Sequence, residues 1–155
     1  MDRYVEEVHR LAGSDPARPV GIIHVALALT GRRDCFEAPG AQSRIQWDMR
    51  NGGWFLVLAR VEDPRELAAS VACAVAIWFV RTRPLWAPDA MPPAVPDLDA
   101  FARSVLLPTP LMLRAVGIVG LSAPALRGLL TAPSTWIDQR VRDVRRKSGA
   151  YSRVG

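Results

Sequence analysis

Apolar residues recur at helical spacing over residues 3–12, where Val5, Val8 and Leu11 share one face and Gly13 follows as a stop. Pro19 opens a second helical pattern over residues 19–30, carrying Ile22, Ile23, Ala26, Leu27 and Leu29, with Gly31 at its end. The period then changes. Ile45, Trp47 and Met49 alternate with polar neighbours, Asn51-Gly52-Gly53 is a turn signal, and Trp54 to Val61 is a second apolar run. Apolar runs on both sides of a glycine turn predict a β-hairpin over residues 43–61. A further short strand is expected near Cys35 to Glu37.

The next helix is well marked. Asp63 suits the N-cap, Pro64 the first helical position, and Glu66 completes a capping box. The pattern runs to Arg81, and its middle is apolar on every face, as in a central buried helix. Pro84, Pro88, Pro92, Pro93 and Pro96 then exclude regular structure over residues 84–96. Asp97 suits the cap of a helix carrying Leu98, Phe101, Ala102, Val105 and Leu106. Pro108 and Pro110 open another, Leu111 to Val119, and Ser122 and Pro124 start a short one through Leu130. After the turn Ala132-Pro133-Ser134 comes a last helix over residues 135–147, with Ile137, Val141 and Val144 on one face. The expected fold is α+β: helices with a small hairpin or three-stranded meander packed on a central buried helix, and a helical C-terminal part. Residues 1–147 read as one domain, and residues 148–155 as a flexible basic tail.

Half of the 155 residues are apolar and 23% are charged, which excludes wholesale disorder. No apolar run reaches the roughly 18 residues of a membrane span; the longest is Leu67 to Val80. The opening MDRYVEEVHR lacks the apolar segment of a signal peptide, so a soluble cytoplasmic protein without a membrane role is expected. The net charge is +5, and among the 20 basic residues only Lys147 is a lysine. Cys35 and Cys73 form no CxxC pair, and Cys73 reads as a buried small hydrophobe. The only histidines are His9 and His24, which limits metal and acid–base chemistry.

The segment Asp97 to Pro108, DLDAFARSVLLP, resembles a segment of the ImmA/IrrE family of zinc metallopeptidases, with Asp99 where an Asn commonly stands. The order of elements before it, and Arg18-Pro19-Val20 ahead of an apolar helix, are similar to the family's opening. The resemblance spans residues 3–145 and is specific only over residues 97–108. It implies a metallopeptidase-like fold whose long helix carries HExxH: two histidines one turn apart bind zinc, and the glutamate is the general base. The matching helix here reads ELAASVACAVAIWF. Ser70 and Ala74 stand where the histidines would be, Val71 replaces the glutamate, and no histidine follows residue 24. Asp97 occupies the place of the family's third, acidic ligand. One carboxylate cannot hold zinc at useful affinity, so the expectation is a pseudoenzyme with no metal and no cofactor.

Bland readings stand beside the chemical ones. Asp97 is a plain N-cap or a vestige of a metal site. Ser70 is a nucleophile without a base, or a serine hydrogen-bonded within the fold. His24 reads as a core or boundary histidine, and no spacing supports a metal site from His24, Cys35 and Cys73. Trp47, Trp54, Trp78 and Trp136 read as core, while Trp86, placed in the proline-rich loop, is either exposed or plugs the former cleft. Residues 122–147 are similar to a helix-turn-helix, with Ser134 as cap of the second helix, or are simply part of the fold. Arg140, Arg142, Arg145, Arg146 and Lys147 form a basic cluster suited to phosphates or an acidic protein surface, or a solvated helix end. Family members often act on helix-turn-helix repressors. The leading expectation is therefore a regulatory module that binds and titrates such a protein. A DNA-binding regulator is the alternative, and a hydrolase with relocated chemistry the third.

Overall fold

A computed structural model describes residues 1–19, 21–40, 42–86 and 97–151; the side chains of residues 83–86 and 147–151 are outside the described set. In chain order the elements are α1 (Asp2–Leu11), α2 (Ile22–Thr30), β1 (Cys35–Ala38), β2 (Arg44–Asp48), β3 (Gly53–Ala59), α3 (Pro64–Trp86), α4 (Leu98–Leu106), α5 (Thr109–Val119), α6 (Ala123–Leu129) and α7 (Ser134–Tyr151). This is an α+β chain. Local chemistry sets the ends of the helices. Gly31 closes α2 in the left-handed region at φ 69°, where a side chain would be strained. At the start of α3 the Asp63 carboxylate accepts the Arg65 amide at 2.8 Å, and at the start of α4 Asp97 accepts the Asp99 amide at 3.0 Å.

Four expectations need correction. Helix α2 starts at Ile22, not Pro19, because its N-cap Gly21 has an extended ψ of 125°. Helix α3 continues through Pro84 to Trp86. One proline removes a single N–H, and the turns before it are held by buried Trp78, Phe79 and Thr82. The other four prolines of that stretch lie outside the described residues. Ser134 is not a cap: the Pro133 carbonyl accepts the amides of Trp136 and Ile137, so helical bonding starts one residue earlier. Helix α7 also runs on to Tyr151, so residues 148–151 are helix rather than tail. Gly149 within it costs roughly 1 kcal/mol against alanine, which an 18-residue helix tolerates.

The sheet is not a meander. Strand β3 lies in the middle, pairing antiparallel with β2 (Trp47 opposite Trp54) and parallel with β1 (Cys35 opposite Leu56). The hairpin itself forms as its turn signal predicts, with Asp48 opposite Gly53. Strand β1 ends beside Ala59 and β2 begins beside Val57, so the connection crosses one end of β3. There the Ala59 amide donates to Ser43 Oγ at 3.0 Å. One face of the sheet, bearing Cys35, Ile45, Trp54, Leu56 and Leu58, packs into the main core.

Helix α3 supplies the centre of that core with Val71, Ala72, Val75, Ala76, Trp78 and Phe79. Each large apolar side chain buried there contributes roughly 1.5–3 kcal/mol. Helix α1 is fastened to α4 by His9, whose Nε2 lies 3.1 Å from the Val105 carbonyl. A second core, formed by α5, α6 and α7, holds Leu107, Met112, Leu126, Ile137 and Val141. Leu106 and Trp136 pack against both cores and join them. Among the described residues no single helix is long and apolar enough to cross a membrane. The bent pair α4–α5 has the length and composition, and burial of Phe101, Ala102, Val105 and Met112 accounts for that apolar content.

Candidate functional site

The four candidate positions Ser70, Val71, Ala74 and Asp97 are taken up by packing and capping. Ser70 Oγ accepts the Ser43 amide at 2.6 Å, tying α3 to the start of β2. Val71 has no exposed surface and Ala74 has 3%, so the face carrying them is covered. Asp97 is exposed and serves as the N-cap of α4. Among the described residues no group of three His, Cys, Asp or Glu side chains could hold a metal ion.

The two cysteines are free and half-buried. Burial pushes both thiols up, with Asp99 adding to the effect at Cys73 and Glu37 and Asp34 at Cys35. Neither therefore sits in the electropositive setting that makes a reactive thiolate. His24 is exposed, contrary to the expected core or boundary place. The buried histidine is His9, where desolvation lowers the pKa against the opposing effects of the Val105 carbonyl and Asp15.

His24 instead borders an open groove of about 410 Å³ between the two cores. Its walls include Ile23, Leu67, Leu106, Leu129 and Leu130, and Thr131 adds a hydroxyl. Two leucine doublets build it. Leu107 and Leu130 are buried in the second core, while their neighbours Leu106 and Leu129 are left half-buried and 47% exposed. In each doublet one leucine is taken into the second core and its neighbour is left more open on the groove wall. Those doublets are the sequence signal for the groove.

The C-terminal helices form a helix, a four-residue connection and a longer helix: α6, residues 130–133, and α7. Leu126, Leu130, Ala132, Ile137 and Val141 are buried and fix the angle between them. Arg127 and Asp138 bridge the two helices at 2.6 Å. Arg142, Arg145 and Arg146 are exposed on α7. Arg140 departs from the expected basic cluster, being only 5% exposed. Its Nε donates to the Leu107 carbonyl and its Nη2 to Thr109 Oγ1, both at 3.0 Å. Burial lowers its pKa, opposed by Asp143 and Asp2. Arg140 is thus an internal strut between α7 and the α4–α5 junction. The side chains of Trp86 and Lys147 lie outside the described residues; the Trp86 backbone closes α3 rather than lying in a loop.

No protein-family model matches this chain, and no curated protein and no solved structure matches it.

Proposed function

We propose that this chain is a non-catalytic regulatory module that binds a partner protein, and that it descends from an ImmA/IrrE-type metallopeptidase. The observation that carries the binding reading is the open apolar groove between the two cores. Its volume of about 410 Å³ is suited to two or three apolar side chains from one face of a partner helix. The exposed leucine at position 129 would be the central contact. The pseudoenzyme reading draws support from the burial of Val71 and Ala74 and from the hydrogen bond that engages Ser70. A helix-turn-helix repressor, or another regulator with an amphipathic helix, is the partner class. The cytoplasm is the proposed setting, where unpaired thiols such as Cys35 and Cys73 persist.

The test places a photo-crosslinking residue at position 129, and another at exposed position 36 on β1 as control, then identifies adducts formed in the native host. Capture of a regulatory protein from position 129 alone, lost in Ile23→Glu, supports the reading. Equal labelling from both positions sinks it. The second reading, DNA binding by α6–α7, is favoured by the exposed Arg142, Arg145 and Arg146 beyond the four-residue connection. Under it, replacing these three arginines by alanine reduces the salt slope of duplex binding by about one unit per lost phosphate contact. Sequence-selective duplex binding at physiological salt would move the function to this class.

A further inference from the structure

A second recess, about 290 Å³, opens where α7 meets α4 and the start of α1. Its charged lining is Asp2, Arg103, Arg140, Asp143 and Arg146. Arg140, Asp143 and Arg146 follow one another at three-residue steps along α7 and share a face. The Asp143 carboxylate lies between two guanidinium groups, 3.6 Å from Arg140 and 3.8 Å from Arg146. Asp2 accepts the Thr109 hydroxyl at 3.3 Å. Arg103, on α4, is half-buried and has no carboxylate or carbonyl acceptor among the described residues. Three guanidinium groups thus line the recess with two carboxylates, and the one without an acceptor belongs to the half-buried residue Arg103.

We propose that this recess binds a phosphate monoester, its dianion held between Arg103 and Arg146. Among the described residues Arg103 has no counter-charge within pairing distance, and an external anion supplies one. The chemistry favours phosphate over carboxylate. Forks from two different helices approach from different directions, and a tetrahedral group with three free oxygens serves both, whereas one carboxylate matches one fork. The volume exceeds that of phosphate alone, so the ester substituent has room to sit inside. This site is separate from the apolar groove and does not depend on what the groove binds.

The experiment is calorimetric titration of the full chain with glycerol phosphate at fixed ionic strength. Inorganic phosphate, sodium chloride and a short DNA duplex serve as parallel probes. Saturable binding of glycerol phosphate, tighter than chloride, is expected. It should weaken below about pH 6, where the monoester loses its second charge. Arg103→Gln should weaken it about tenfold or more, and Asp143→Asn should tighten it. Arg114→Gln, on the exposed face of α5, should leave it unchanged. If Arg103→Gln does not fold, Arg103→Lys keeps the charge without the fork and should still lose most of the affinity. Absence of saturation at millimolar glycerol phosphate, or unchanged affinity in a folded Arg103 variant, overturns the proposal. Duplex DNA binding that depends on Arg103 as strongly as the monoester does would overturn its selectivity.

Discussion

The hydroxyl oxygen of Ser70 accepts the backbone amide of Ser43 at 2.6 Å. This bond fastens the central helix to the start of the edge strand β2. Ser43 is itself 7% exposed, and its own hydroxyl accepts the Ala59 amide. Two serines in sequence-distant segments therefore satisfy two amides at the strand crossing.

Ser70→Ala should leave the Ser43 amide without its acceptor in a largely dry place. An unsatisfied buried donor costs roughly 1–3 kcal/mol. Chemical denaturation should show a lower midpoint with an unchanged slope. A midpoint equal to that of the wild type would mean that water replaces the hydroxyl.

Installing an HExxH motif by Ser70→His, Val71→Glu and Ala74→His should be far more damaging. Val71 and Ala74 are fully packed, so the new polar groups meet apolar neighbours. At roughly 1–3 kcal/mol for each group, the sum is a large part of a typical stability of about 5–15 kcal/mol. Loss of a cooperative melting transition is expected, with no recovery on adding zinc. A folded triple variant that takes up one zinc would show an accessible, pre-shaped cleft and contradict the packing described.

Arg140 and Arg142 should behave as opposites. Arg140→Ala removes the donors to the Leu107 carbonyl and the Thr109 hydroxyl and empties a buried site. Hydrogen bonds from charged groups contribute about 1.5–3 kcal/mol each. Arg142→Ala removes an exposed bond to Gln139 and should stay within about 0.5 kcal/mol of wild type. Equal melting temperatures for the two variants would refute the strut role.

The pH dependence follows from His9. Burial depresses its folded-state pKa below the ordinary value of 6.5, so the folded state favours the neutral ring. The unfolded chain then takes up the proton first as pH falls. The stability is complete above about pH 6.5 and is lost as pH drops from there toward the folded value. Melting temperature should therefore fall as pH drops below about 6.5, and His9→Gln should flatten that part of the profile. An identical profile in both proteins would assign the effect to other groups.

Local information in the chain was enough for most elements. The 3.6-residue spacing in α1, the turn Asn51-Gly52-Gly53, the caps Asp63 and Asp97 and the stop Gly31 act over a few residues, and they lie in the expected places. The apolar content of residues 67–80 likewise determined that α3 is central, because a helix without a polar face is stable only inside. Those same signals misjudged Pro84 and Pro19, where packing of neighbouring turns and the backbone of Gly21 decided the boundary.

Tertiary structure alone decided which long-range partner each polar group found. No spacing in the sequence announces that β1 pairs in parallel with β3, since that depends on which end of the hairpin the incoming chain crosses. Nothing local separates His9 from His24, yet one is buried under the Val105 carbonyl and the other faces solvent. Arg140 looks like its basic neighbours until the end of α4 presents the Leu107 carbonyl to it. The groove and the arginine recess have the same origin: both form where two cores or two helices meet, and the residues lining them are far apart in the chain. A sequence determines faces and ends, because those are fixed within a few residues. Only the docking of one face on another decides which cations lose their water and which clefts stay open.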